Sequence, residues 1–135
     1  MTPAYDAYEA IGRLLTGYFD GLYNSDAELL ERVFHPRAHY VTATGGELLH
    51  RTREEYLPIV RERPSPAGRG EQRADKILSI EFAGPVTAFA RVECAIGDKA
   101  FIDLLTLIFI DGRWQIISKV FHSELRAAAW VEPRS

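Results

Sequence analysis

A chain of 135 residues, 47% of them hydrophobic, can bury one substantial core, so residues 1–135 are read as a single domain. The formal net charge of −3 excludes the concentrated basic face that nucleic-acid or anionic-membrane partners require, and the seven basic residues between Arg51 and Lys76 are interleaved with five acids. The single cysteine, Cys94, rules out an internal disulfide, the start MTPAYDAYEA has no basic region ahead of an apolar run, and no stretch is apolar for long enough to cross a bilayer, so a cytoplasmic protein is expected.

Between Tyr5 and Tyr23, apolar residues recur at Tyr8, Ile11, Leu14, Leu15, Tyr18, Phe19 and Leu22, the three-and-four spacing of a helix with one buried face. Gly12, Gly17 and Gly21 weaken that helix in isolation, so packing must hold it. Ser25 with Glu28 reads as a capping box opening a short helix over 26–34, which His35-Pro36 ends because proline disfavours helical backbone in the residue before it. Two short strands follow around Gly45-Gly46. Thr52 with Glu55 then opens a third helix over 53–62, which Pro58 is expected to kink or shorten. RPSPAGRGEQ (63–72) has no pattern for burial and reads as a loop.

The remainder is sheet, with strands expected over 74–82, 86–96, 100–110 and 113–122, joined by Gly84-Pro85, Gly97-Asp98 and Asp111-Gly112. Connections this short permit only antiparallel neighbours. Helices first and a meander after them is the α+β pattern, with helices on one face of a curved antiparallel sheet. FIDLLTLIFI (101–110) is apolar on both sides, so the domain's helices cover one face and something else must cover the other. A second copy is the natural cover, which predicts a homodimer built on Ile102, Leu104, Ile108, Ile117 and Phe121, with the Lys119 stem packed at the contact. Trp130 in the tail is expected to dock on the domain.

YFDGLYNSD (18–26), VFHPRAHY (33–40), RPSPAGRGE (63–71), FIDLLTL (101–107) and IDGRWQIISKVFH (110–122), in this order, resemble the nuclear transport factor 2-like superfamily, and within it the lumazine-binding-like family. The resemblance implies a cone-shaped antiparallel sheet wrapped around N-terminal helices, a cystatin-like arrangement, with one apolar pocket and usually a homodimer. It implies no single activity, because the superfamily includes isomerases, dehydratases and non-catalytic binders, so function has to be argued from the site.

Asp103 shares strand parity with Leu105, Leu107 and Phe109, which aims its carboxyl at an apolar interior where a protonated acid would donate to a ligand oxygen. Tyr18 lies on the apolar face of the first helix. In the ketosteroid isomerases that this chain resembles, a first-helix tyrosine and a late-strand aspartate bind the oxyanion, positions that match Tyr18 and Asp103. The position of their proton-abstracting aspartate falls at Thr42, which cannot be such a base. With an unbulged hairpin across Asp111-Gly112, Phe109 faces Trp114 and Leu107 faces Ile116, which sets His122 on the Asp103 face and Lys119 on the opposite one.

These readings predict a small-molecule-binding domain for an aromatic or heterocyclic ligand touching Tyr18, Leu105, Leu107 and Trp114, with Arg63 gripping an anionic group from the loop alongside Ser65 and Arg69. The alternatives are a cofactor-independent lyase or isomerase using Asp103 and His122 as acid and base with Tyr18 as oxyanion donor, and a non-catalytic dimerisation or interaction module. No cofactor is called for. His35 and His39 lack a carboxylate at ligand spacing, so no metal is expected.

Overall fold

The computed structural model describes residues 4–126, so Trp130, expected to dock on the domain, lies outside the described residues. Helix α1 (Ala4–Asn24) buries Ala7, Ile11, Leu15, Tyr18 and Leu22, one residue every three or four. Tyr8, counted in the expected stripe, is 55% exposed because it sits about 100° around the helix from Ala7. The helix ends in a Schellman arrangement. Ser25, at φ 48°, sends its N–H to Leu22 O, and Asp26 sends its N–H to Gly21 O. Ser25 is thereby used up as a terminator, and the cap of α2 (Ala27–Val33) moves one residue on from the expected box, to Asp26, whose side chain accepts from Leu29 N.

Strand β1 (Phe34–Thr42) starts directly after α2 and pairs with the short β2 (Leu49–Thr52) around a turn in which Gly46 takes φ 92°. The capping box of Thr52 and Glu55 opens α3 (Arg53–Glu62) as expected. Pro58 does not shorten this helix. Its ring lies on the exposed side, where the carbonyl deprived of its donor meets water.

Strands β3 (Lys76–Phe82), β4 (Thr87–Ile96), β5 (Lys99–Ile110) and β6 (Arg113–Leu125) form the antiparallel meander. Together the strands make one curved, open six-stranded sheet in the order β2-β1-β6-β5-β4-β3. The β1–β6 pairing is parallel, which the all-antiparallel expectation missed because reasoning from loop length sees only neighbours in sequence. Asp111 (φ 54°) and Gly112 (φ 79°) make the predicted tight turn, and near it the register is the expected one, with Phe109 opposite Trp114 and Leu107 opposite Ile116.

Past that point the register shifts. Thr106 pairs with Ser118, so Ile117 is an extra residue in β6, a β-bulge. Because side chains alternate with period two, one extra residue exchanges the faces of everything beyond it. Lys119 comes opposite Leu105 and Phe121 opposite Asp103, both facing the helices, while His122 pairs with Ile102 on the outer face. Lys119, placed by the sequence at a subunit contact, is 4% exposed inside the domain, and Phe121 leaves the expected interface for the core side.

Candidate functional site

The bulge creates the site. Asp103, fully buried on β5, accepts a 2.5 Å hydrogen bond from the Tyr18 hydroxyl on α1, 85 residues away in sequence. The same carboxylate oxygen, Oδ2, takes a weak donation from Cys94 Sγ at 3.8 Å and lies 3.9 Å from Lys119 Nζ. The other oxygen, Oδ1, is buried with no hydrogen-bond partner among the described residues. A phenol and a thiol thus donate to Oδ2 of Asp103, with an ammonium standing near the same oxygen.

The ammonium is enclosed by rings. Lys119 Nζ stands 5.2, 5.1, 5.7 and 5.3 Å from the ring centroids of Tyr18, Tyr40, Tyr56 and Phe121, all within cation–π range. Tyr40 from β1 stacks on Tyr56 from α3 at 4.5 Å and tilts against Phe121 at 4.7 Å, so four elements hold the cage together. Burial alone would lower the Lys119 pKa, but the Asp103 carboxylate, followed by Tyr56 and Tyr40, outweighs it and holds the ammonium above its ordinary range. Burial first and Asp103 second push Tyr18 well above a normal phenol, and the same pair of causes raises Cys94.

Of the residues picked out by sequence, Tyr18 and Asp103 meet, and Leu105 lies beside them, opposite Lys119. Leu107 and Trp114 are core residues farther along the sheet. Trp114 sits opposite Phe109, six residues from Asp103, or about 20 Å at ~3.3 Å per residue, and packs edge-on against Phe82 and Phe109. His122 does not join the cluster. Its ring is on the outer face near Thr44 (3.3 Å) and Glu124 (3.4 Å), beside a cavity of about 300 Å³ that also involves the outer-face residues Glu93, Ala95 and Ile102. Thr42, at the position expected for a base, donates to Phe121 O at 2.6 Å and so braces the cage wall.

The loop over 63–72 is tied down. Ala67 N–H bonds Tyr23 O, the Tyr23 hydroxyl donates to Glu71 O, and Glu71 accepts from Gly97 N–H. Ser65 and Arg69 serve the loop itself, through Gly68 and Glu71, but the Arg63 Nε and Nη2 are buried without a partner among the described residues. The sequence reading missed Lys119, Tyr40, Tyr56 and Phe121 as one group. The signal was a lysine in a strand otherwise built for burial, and the bulge was what had to be known to use it. No group of three or more metal-ligating side chains occurs among the described residues.

A family model described as "Putative lumazine-binding" matches residues 6–122. The chain belongs to that family. The aldolase FrzH of Cladobotryum sp is 25% identical to this lumazine-binding-like chain over 118 residues, 86% of this chain and 90% of that protein. An NTF2-like protein of unknown function from Silicibacter pomeroyi superposes with a TM-score of 0.81 at 26% identity, over 91% of this chain and 100% of its own. A second, from Shewanella baltica, also gives 0.81, at 21% identity over 92% and 98%. The nuclear transport factor 2-like fold of the lumazine-binding-like chain is thus as the sequence resemblance implied, and no helix among its described residues is long and apolar enough to cross a membrane.

Proposed function

We propose that the chain binds a small organic molecule at the Tyr18, Asp103 and Lys119 cluster, with an aromatic or heterocyclic body lying against Tyr40, Tyr56 and Phe121. The observation that carries this reading is the ammonium buried among four rings and 3.9 Å from a buried carboxylate with one oxygen that has no partner among the described residues. A buried ion pair is a poor device for stability, since an apolar pair of the same volume usually does as well or better, so its presence favours a role in recognition or chemistry. Tyr18 and Asp103 have no exposed surface, so entry requires a wall residue to move, and half-buried Tyr40 is the outermost member of the cage. Native mass spectrometry of freshly purified protein tests the proposal. A retained small molecule is expected on wild type and absent from Lys119→Met, and retention at equal occupancy by both proteins would refute it.

The cluster also supports carbonyl chemistry without a cofactor, a reading favoured by the short Tyr18–Asp103 hydrogen bond and in keeping with the aldolase among the relatives. Asp103 takes the proton α to a ligand carbonyl, and the Lys119 ammonium and Tyr18 phenol hold the enolate oxygen. His122 has no part in this version. Enzyme-dependent exchange of α-hydrogens of simple ketones in D2O, followed by NMR, is expected for wild type and lost in Asp103→Asn.

The half-buried outer-face residues Ile102, Leu104, Ile108 and Ile117, with exposed Val120 taking the place expected of Phe121, support a homodimer through the sheet.

A further inference from the structure

Arg63 closes α3. Tyr56 and Val60 are the buried residues on this helix face, and Arg63 continues their spacing of four and three, which turns its side chain inward. Its charge is felt at the Tyr40 phenol, where it opposes the rise caused by burial, so it acts on the ring that also faces Lys119. Its Nε and Nη2 are both buried and lack a partner among the described residues. In a guanidinium, Nε and Nη2 share one edge, and that edge presents two parallel N–H groups spaced for the two oxygens of a carboxylate. A buried donor without an acceptor is costly, and here two lie side by side. Charge points the same way, because three cations, Lys119, Arg63 and Arg51, act on Tyr40 while Asp103 is the acid of the cluster.

We infer that the ligand is a carboxylate, gripped in bidentate fashion by the Nε and Nη2 edge of Arg63 while its ring or carbonyl reaches past Tyr40 to Lys119. This rests on the binding reading above and gives it a ligand class. The test uses two probes of one shape at pH 7, 2-naphthoate and neutral 2-naphthol, titrated into wild type, Arg63→Gln and Arg63→Lys with binding read by NMR shifts. Wild type is expected to prefer the carboxylate by about tenfold or more, since a fork of two charge-assisted bonds is in play. Both variants should lose that preference while holding 2-naphthol within about twofold of wild type; Arg63→Lys keeps the charge, so it reads the fork even where Arg63→Gln fails to fold. A preference that survives both substitutions, or none in wild type although 2-naphthol binds, overturns the inference and leaves the pocket reading standing. If neither probe binds wild type, the pocket reading falls and this one with it.

Discussion

Lys119 and Asp103 are each tolerable inside the domain only because the other is there. Removing one partner of a buried pair leaves an uncompensated charge, which typically costs about 3–5 kcal/mol. Lys119→Met is therefore expected to lower unfolding stability by that order in urea titrations, and the double variant Asp103→Asn/Lys119→Met should recover most of the loss. A single variant as stable as wild type would show that the pair carries no such coupling. The proton balance gives a second expectation. Lys119 holds its proton to a higher pH folded than unfolded, so its stabilisation is whole below the unfolded lysine value of ~10.4 and is lost as pH rises beyond it. Cys94 and Tyr18 are raised too, so an increasing penalty opens above their unfolded values of ~8.5 and ~10. In all three the native state binds more protons than the unfolded one, so the urea midpoint should fall steadily from about pH 8 to pH 11. Cys94→Ala should flatten the part below ~pH 10, and a midpoint that rises with pH would contradict the assignment.

At the scale of elements, the bulge at Ile117 decides which half of β6 sees the interior. Deleting Ile117 would restore simple alternation, drive Lys119 and Phe121 outward and pull Val120 and His122 in. Loss of the cooperative thermal transition is expected for the deletion, and a native-like melt would count against the face assignment. Helix packing offers a sharper pair of tests. A Cβ on Gly21 would lie 2.6 Å from Leu30 Cδ2, whereas one on Gly12 meets nothing within 4 Å. Gly21→Ala should cost about 1–3 kcal/mol by overpacking α1 on α2, while Gly12→Ala should gain about 0.5–1 kcal/mol from helix propensity alone. The elements themselves were legible because periodicity, caps and Asp111-Gly112 are local signals. The site was half legible. Tyr18 and Asp103 follow from face and parity, but Lys119 was assigned the wrong face because a bulge leaves no mark in the pattern of residue types, and Tyr40 comes beside Lys119 and Phe121 through a parallel pairing that no loop length announces.

For the whole molecule, the outer face of β5 and β6 remains half-covered within one chain, and a second copy is the proposed cover. Ile108→Lys is expected to convert a dimer to a monomer, or to aggregate, in sedimentation velocity runs, with Phe121→Lys instead unfolding the chain because that ring belongs to the cage. A wild-type monomer at tens of micromolar would remove the dimer.

The parallel β1–β6 contact has a consequence for how the chain comes off the ribosome. Val41 pairs with Val120, so β1 leaves the exit tunnel about eighty residues before its partner and waits with one edge unpaired. Strand β6 fills that gap when it emerges and in the same movement roofs over Asp103. It also carries Lys119, so the carboxylate loses its water only as its counter-ion arrives, and a nascent chain lacking that strand keeps Asp103 hydrated.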